Sequence, residues 1–264
     1  MKIGTQNQAF FPDPIDAKFG YLSEAGFDGF EIDGGLLVAN VEAVKRAISA
    51  TGIPVTSACG GYTGWIGDLD ERRRLQSLVE IKQILRALGE VGGAGMVVPA
   101  AWGMATYRLP PMQPPRTPEQ DREILGESLV ELDCAAAGAG VQIFLEPLNR
   151  YQDHMINTLA QARRYIEENQ LRHVAIAADL YHMNIEEDDI CTALHQHRDL
   201  IKHIHLADNQ RFQPGTGALD FKKYFTRLRS DGFSGFVTLE CRIRGDDPKA
   251  ALQRALQFLR DAAA

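Results

Sequence analysis

The sequence predicts an α/β protein, a single domain closed into a (β/α)8 barrel. Three observations carry that prediction. Short apolar runs alternate with amphipathic stretches from end to end, which implies parallel strands joined by crossover helices. Eight such units fit into 264 residues, the size of a closed eight-stranded barrel. No linker or low-complexity segment divides the chain, so 1–264 reads as one domain. The alternative, an open doubly wound sheet for dinucleotides, would carry GxGxxG after its first strand, and none follows KIGTQ.

The elements follow in order. KIGTQ (2–6) is the first strand, and IDAKFGYLSEAG (15–26) the first helix, with Ala17, Tyr21, Leu22 and Ala25 on one face. GFEI (29–32) leads to a helix over 41–52 carrying Val41, Val44 and Ile48 and ending in glycine. VTSAC (55–59) precedes the helical run 69–92, where Leu75, Leu78, Val79, Leu85 and Leu88 recur at helical spacing. The glycines of LGEVGGAG (88–95) read as a tight turn into the fourth strand, GMVVP (95–99). The longest loop follows, 99–118, with six prolines and the aromatics Trp102 and Tyr107. Such a segment suits a stiff wall or lid over the barrel mouth. Trp65, Trp102 and Tyr107 could together form an apolar wall at the mouth, or simply pack the lid. Pro118 opens the helix 118–140. QIFLE (142–146) stops at Pro147, which cannot donate to a sheet ladder. Helices over 159–169, 186–197, 220–232 and 248–262 then alternate with VAIAAD (174–179), HIHLA (203–207) and FVTLE (236–240).

Composition bounds the function. The formal charge of −7 argues against nucleic acid as the main partner, since phosphate binding needs a basic surface. A DNA-repair endonuclease built on such a barrel would also need extra histidines, and none precedes His154. No apolar run approaches the ~20 residues of a membrane helix. MKIGTQNQAFFPD lacks the form of a signal peptide, so a cytoplasmic protein is expected, with no membrane partner. Cys59, Cys134, Cys191 and Cys241 form no CxxC pair and read as buried free thiols.

In a closed parallel barrel the C-terminal strand ends share one face. Four late strands bring metal-type donors there: Glu146, Asp179, His205 and Glu240. Each alone reads as a helix cap or a solvated charge. Together, three carboxylates and one imidazole suit Mn²⁺, Co²⁺ or Mg²⁺ better than a structural zinc site. His203 lies on the same side of its strand as His205 and reads as a hydrogen-bonded core histidine.

The stretches EPLNRYQ, ADLYHMNIEE, HIHLADNQR and TLE resemble the xylose-isomerase-like barrel superfamily of sugar isomerases and epimerases. Within it they look most like the ketose 3-epimerases. The resemblance covers the whole chain in architecture and is specific in the second half. It implies Glu146, Asp179, His205 and Glu240 as ligands of one divalent ion, with Mn²⁺ expected, and His182, in the loop after Asp179, and Arg211 as substrate contacts. It also suggests a homodimer or homotetramer. One position departs from the family pattern: Gln152 stands where a second glutamate contacts substrate. An amide hydrogen-bonds a hydroxyl but cannot act as a base.

The expected reaction is C3 epimerisation of a free ketose. One carboxylate removes the proton beside the ketone, the ion stabilises the enediolate, and a second carboxylate reprotonates the opposite face. Glu146 and Glu240 are the expected pair. The alternative is a metal-dependent lyase or dehydratase acting on a sugar-derived or cyclic keto substrate. PGTGALD (214–220) could cradle a phosphate on Gly215 and Gly217, but a plain turn with Asp220 as helix cap is favoured, and with it an unphosphorylated substrate.

Overall fold

A computed structural model describes residues 1–106 and 113–264. Eight strands, all paired in parallel, close on themselves in chain order: β1 (Lys2–Gln6), β2 (Gly29–Asp33), β3 (Val55–Cys59), β4 (Gly95–Pro99), β5 (Gln142–Glu146), β6 (Val174–Asp179), β7 (Ile201–Leu206) and β8 (Phe236–Leu239). Around them run α1 (Ile15–Ala25), α2 (Gly34–Ala39), α3 (Val41–Thr51), α4 (Glu71–Val91), α5 (Pro118–Ala139), α6 (Leu159–Glu168), α7 (Leu180–Glu186), α8 (Ile190–Gln196), α9 (Phe221–Ser230) and α10 (Pro248–Ala263). This is a single-domain (β/α)8 barrel, as the alternating pattern predicts. No described helix is long and apolar enough to cross a membrane.

The strand alternation sorts side chains into two layers. Ile143, Leu145, Ile176, Ala178, Ile204, Val237 and Leu239 join the large apolar layer, and Val97, Phe144, Ala175 and Ala177 form a separate small cluster. Successive residues point to opposite faces, so the small cluster fills the lumen. Glu146 lies two residues beyond Phe144, and Asp179 two beyond Ala177. Parity therefore sends both carboxylates inward, above the lumen plug. His203 and His205 share that parity on β7, where His205 pairs with Asp179 across the ladder.

Several expectations need correction. On α1 the buried positions are Ile15, Lys18, Phe19 and Leu22, while Ala17 is exposed. On α4 the core stripe is Leu78, Ile81, Leu85 and Leu88. Leu75 and Val79 are 47% and 50% exposed, because at 100° per residue they lie about 100° and 140° from that stripe's centre. The expected helix 186–197 starts only at Ile190, where Asp189 caps it by accepting the Thr192 N–H. The short helices α2 and α7 were not expected, and His182 lies in α7 rather than in a loop. The cysteines are free thiols, but Cys134 is exposed and the others are half-buried. Tyr107 and the middle of the proline-rich loop lie outside the described residues.

Candidate active site

The four strand-end donors converge. One ligand atom from each of Glu146, Asp179, His205 and Glu240 lies within 4.8 Å of the other three. His205 Nδ1 is 2.7 Å from Glu146 Oε1, 3.0 Å from Glu240 Oε2 and 4.0 Å from Asp179 Oδ2. A divalent ion with bonds of roughly 2.1–2.4 Å spaces opposite donors about 4.2–4.8 Å apart, so the set fits such an ion. Three hard oxygens and one nitrogen suit a divalent ion. Glu240 falls one residue past the end of β8, yet its N–H still donates to Leu206 O at 3.0 Å and extends the ladder.

Asp179 is both a cap and a cluster member. Its Oδ1 accepts the Tyr181 and His182 N–H groups at 2.7 and 3.2 Å, starting α7. Its Oδ2 is left for the cluster. That cap also fixes His182, which is 2% exposed. The Asn149 backbone N–H donates to His182 Nδ1 at 3.1 Å, and the Asn149 amide lies 2.8 Å from the same atom. Nδ1 is therefore the acceptor, and the ring proton sits on Nε2. Burial lowers the His182 pKa to about 4, against the opposing pull of Asp179. The ring is thus a neutral donor.

Arg211 sits in the left-handed region at φ 60°, uncommon for a residue with a Cβ. Its guanidinium bonds both Asp179 and Glu240 and lies 4.8 Å from the Tyr181 ring centroid. The loop carrying it is tied down by Asp208, which is 1% exposed. The Asp208 carboxylate accepts N–H groups from Gly215, Gly217 and Leu219 at 3.1, 2.8 and 3.1 Å. A Cβ on Gly217 would stand 2.2 Å from Asp208 Oδ1, so only glycine fits. The N–H groups of the PGTG turn thus serve a carboxylate of the chain itself, and Asp220 caps α9 through the Lys223 N–H.

Opposed environments act on the two candidate proton carriers. Burial pushes Glu146 up to about 7, with His205 opposing and Glu240 and Asp179 adding to it. Burial also works to raise Glu240, but Arg211 and His205 outweigh it and hold this carboxyl well below the usual range. Burial lowers the His205 pKa, but the carboxylates of Glu31, Glu240 and Glu146 outweigh it and raise it above the ordinary imidazole value.

A cavity of about 540 Å³ opens over the cluster, lined by Glu146, Glu240, Gln152, His182 and Arg211 together with Tyr62, Trp65 and Trp102. Gln152, His182 and Arg211, with Trp65 and Trp102, thus reach one mouth, while Tyr107 lies outside the described residues. Trp65 and Trp102 lie 6.3 Å apart in this wall. The Gly103 N–H donates to Gln152 O at 2.7 Å, joining the loops after β4 and β5. A wider groove of about 1110 Å³ crosses the outer helices near Arg122, Glu127 and Glu168, but it contains no strand-end residue. Two contributors escaped the sequence reading. Asn149 sets the His182 tautomer, and its only signal was its place in EPLNRYQ. Glu31 lies mid-strand in β2, yet its carboxylate is 2.9 Å from His205 Nε2.

The chain matches the xylose isomerase-like TIM barrel family over residues 19–262. It is 62% identical over 260 residues to a 3-dehydro-D-guloside 4-epimerase of Escherichia coli strain K12, covering 98% of this chain and 99% of that protein. An apo crystal structure of a 3-keto-D-glucoside 4-epimerase from E. coli superposes with a TM-score of 0.97 at 61% identity, covering 99% of both chains. A D-psicose 3-epimerase crystallised in the presence of D-fructose shares the fold, with a TM-score of 0.87 at 20% identity over 100% of this chain and 99% of that one.

Proposed function

The chain belongs to the xylose isomerase-like TIM-barrel family of sugar isomerases and epimerases, and within it we propose that it inverts C4 of a 3-keto hexoside, using one divalent ion. The observation that carries this reading is the convergence of Glu146, Asp179, His205 and Glu240 beneath a sugar-sized mouth. It stands in a chain 62% identical over nearly its full length to a 3-dehydro-D-guloside 4-epimerase.

The chemistry follows from carbonyl acidity. A ketone at C3 acidifies the C4 proton, and its removal leaves negative charge on the ketone oxygen. The ion, when held by the four side chains, supplies electrostatic stabilisation of that charge. Mn²⁺ is our assignment, with Co²⁺ and Mg²⁺ as alternatives. Glu146 and Glu240 exchange protons with opposite faces of C4. Glu146 ends β5 and Glu240 follows β8, so the two carboxylates reach the mouth from different strands. The His182 Nε2–H donates to a sugar oxygen, and Arg211 offers its guanidinium at the same rim. Gln152 hydrogen-bonds a hydroxyl and takes no proton. The aromatic wall of Tyr62, Trp65 and Trp102 covers the apolar face of the ring.

The second reading is C3 epimerisation of a free ketose. It is favoured by the likeness of EPLNRYQ and HIHLADNQR to the ketose 3-epimerases. Both readings use the same proton chemistry, and isotope exchange separates them. The protein is stripped with chelator, reloaded with Mn²⁺, and incubated in D₂O with a methyl 3-keto-hexoside and with free ketoses. NMR then follows each C–H. Metal-dependent deuterium at C4 of the hexoside, with both C4 epimers formed, is expected. Label at C3 of a ketose alone would select the second reading. In Glu240→Gln, C4 exchange into one epimer without inversion is expected; retained inversion would sink the two-carboxylate scheme.

A further inference from the structure

Beneath the four donors lies a buried polar group that the proton chemistry does not use. Glu31, 1% exposed, stands at its centre. Gln6 Nε2 donates to Glu31 Oε1 at 2.8 Å, and Ser57 Oγ donates to Oε2 at 2.6 Å. His205 Nε2 is 2.9 Å from Oε1, and His203 Nε2 is 2.9 Å from Oε2. Among the described residues His203 Nε2 has no hydrogen-bond partner, and its ring stacks on Phe144, 5.4 Å between centroids at 3°.

We infer that Glu31 is the positioning residue of the metal centre: it accepts the Nε2–H of His205 and so leaves the Nδ1 lone pair facing Glu146, Asp179 and Glu240. The inference rests on those four side chains holding a divalent ion. An imidazole ligand must present one bare nitrogen, and an anion on its other N–H fixes the tautomer and ring orientation and strengthens the donor. The barrel is built to place this anion. Gln6, Glu31 and Ser57 are register partners on β1, β2 and β3, and an irregularity between Phe30 and Glu31 sets Glu31 level with Ser57 instead of Thr56. Glu31, His203 and His205 also have the spacing of a second cation site. A carboxylate offers roughly four lone-pair positions, however, and Gln6, Ser57 and His205 already donate to three while His203 covers the fourth. The group therefore reads as a hydrogen-bond hub rather than a second ion site.

The test measures Mn²⁺ binding to the full chain by the EPR signal of the free ion, metal content by elemental analysis, and the visible spectrum of the Co²⁺ form at saturation. Wild type should bind one Mn²⁺ per chain, and Asp179→Asn should lose it. Glu31→Gln should bind one ion about 10–100-fold more weakly, with an altered Co²⁺ spectrum that a mere loss of stability would not produce. Ser57→Ala, a milder change that serves if Glu31→Gln does not fold, should weaken binding in the same direction. Wild-type affinity and spectrum in both variants would overturn the inference. So would two ions in wild type with one lost in Glu31→Gln, since Glu31 would then be a ligand. Failure of wild type to bind Mn²⁺, or undiminished binding in Asp179→Asn, would instead remove the metal reading on which the inference stands.

Discussion

Asp33 and Asp179 end β2 and β6, and both cap the short helix that follows. Asp33 accepts the Leu36 N–H at 2.9 Å and is exposed. Asp179 caps in the same way with one oxygen, but it is 1% exposed and its second oxygen faces Glu240, His205 and Arg211. The same residue at the same place in a βα unit is thus a plain cap on one side of the barrel and a cluster member on the other. What differs is the neighbouring strands. β5 to β8 bring donors to their ends, while β1, β3 and β4 end in Gln6, Cys59 and Pro99. The first half supports from below, through Glu31 and Ser57, and walls the mouth with Tyr62, Trp65 and Trp102.

That contrast can be broken by mutation. The largest effect is expected from Asp179→Asn. It should empty the metal site and lower turnover by roughly three orders of magnitude, equivalent to about 4 kcal/mol. Asp33→Asn, which keeps a capping oxygen, should leave metal content and turnover unchanged. Equal losses in the two variants, read by elemental analysis and initial rates, would end the distinction between the barrel halves.

A stability effect of intermediate size is expected at Asp153, in the loop after β5. Burial pushes its carboxyl up to about 7, and among the described residues Oδ2 has no hydrogen-bond partner. The folded state then keeps a proton that the unfolded chain has released, so Asp153 makes stability fall as pH rises from about 4 to 7. The slope is at most roughly 1.4 kcal/mol per pH unit. Asp153→Asn should flatten urea-derived stability across that window, and an unchanged slope would refute the assignment.

The smallest effect is expected at Gln152. Gln152→Glu restores the carboxylate of the ketose 3-epimerase pattern and should shift kcat/KM towards free ketoses by about tenfold, near 1.4 kcal/mol. If preference does not move, the substrate is selected elsewhere in the mouth.

Much of this was legible from the chain. Alternating apolar runs located all eight strands to within two residues, because a buried parallel strand must be apolar on both faces. The four donors were legible because they fall at strand ends that a closed barrel brings together. Three features were not. Leu75 and Val79 read as core on α4 because leucine and valine fit either side of a long helix by composition, and packing against β3, β4 and α5 selects the face of Leu78, Leu85 and Leu88. The α7 helix is too short for periodicity to reveal it. Glu31 is not legible in the sequence, because a lone mid-strand carboxylate carries no motif. Its partners Gln6, Ser57, His203 and His205 come from three other strands, and the last two lie more than 170 residues away.

The sequence by itself determined the barrel and the donor set, since strand order, strand parity and donor chemistry are local properties that closure only assembles. The tertiary structure alone decided which aspartate is a cap and which also joins the cluster, which His182 nitrogen accepts, and where the PGTG amides go. Those depend on distances of a few ångströms between strands remote in sequence, and hydrogen-bond geometry is fixed only once they meet.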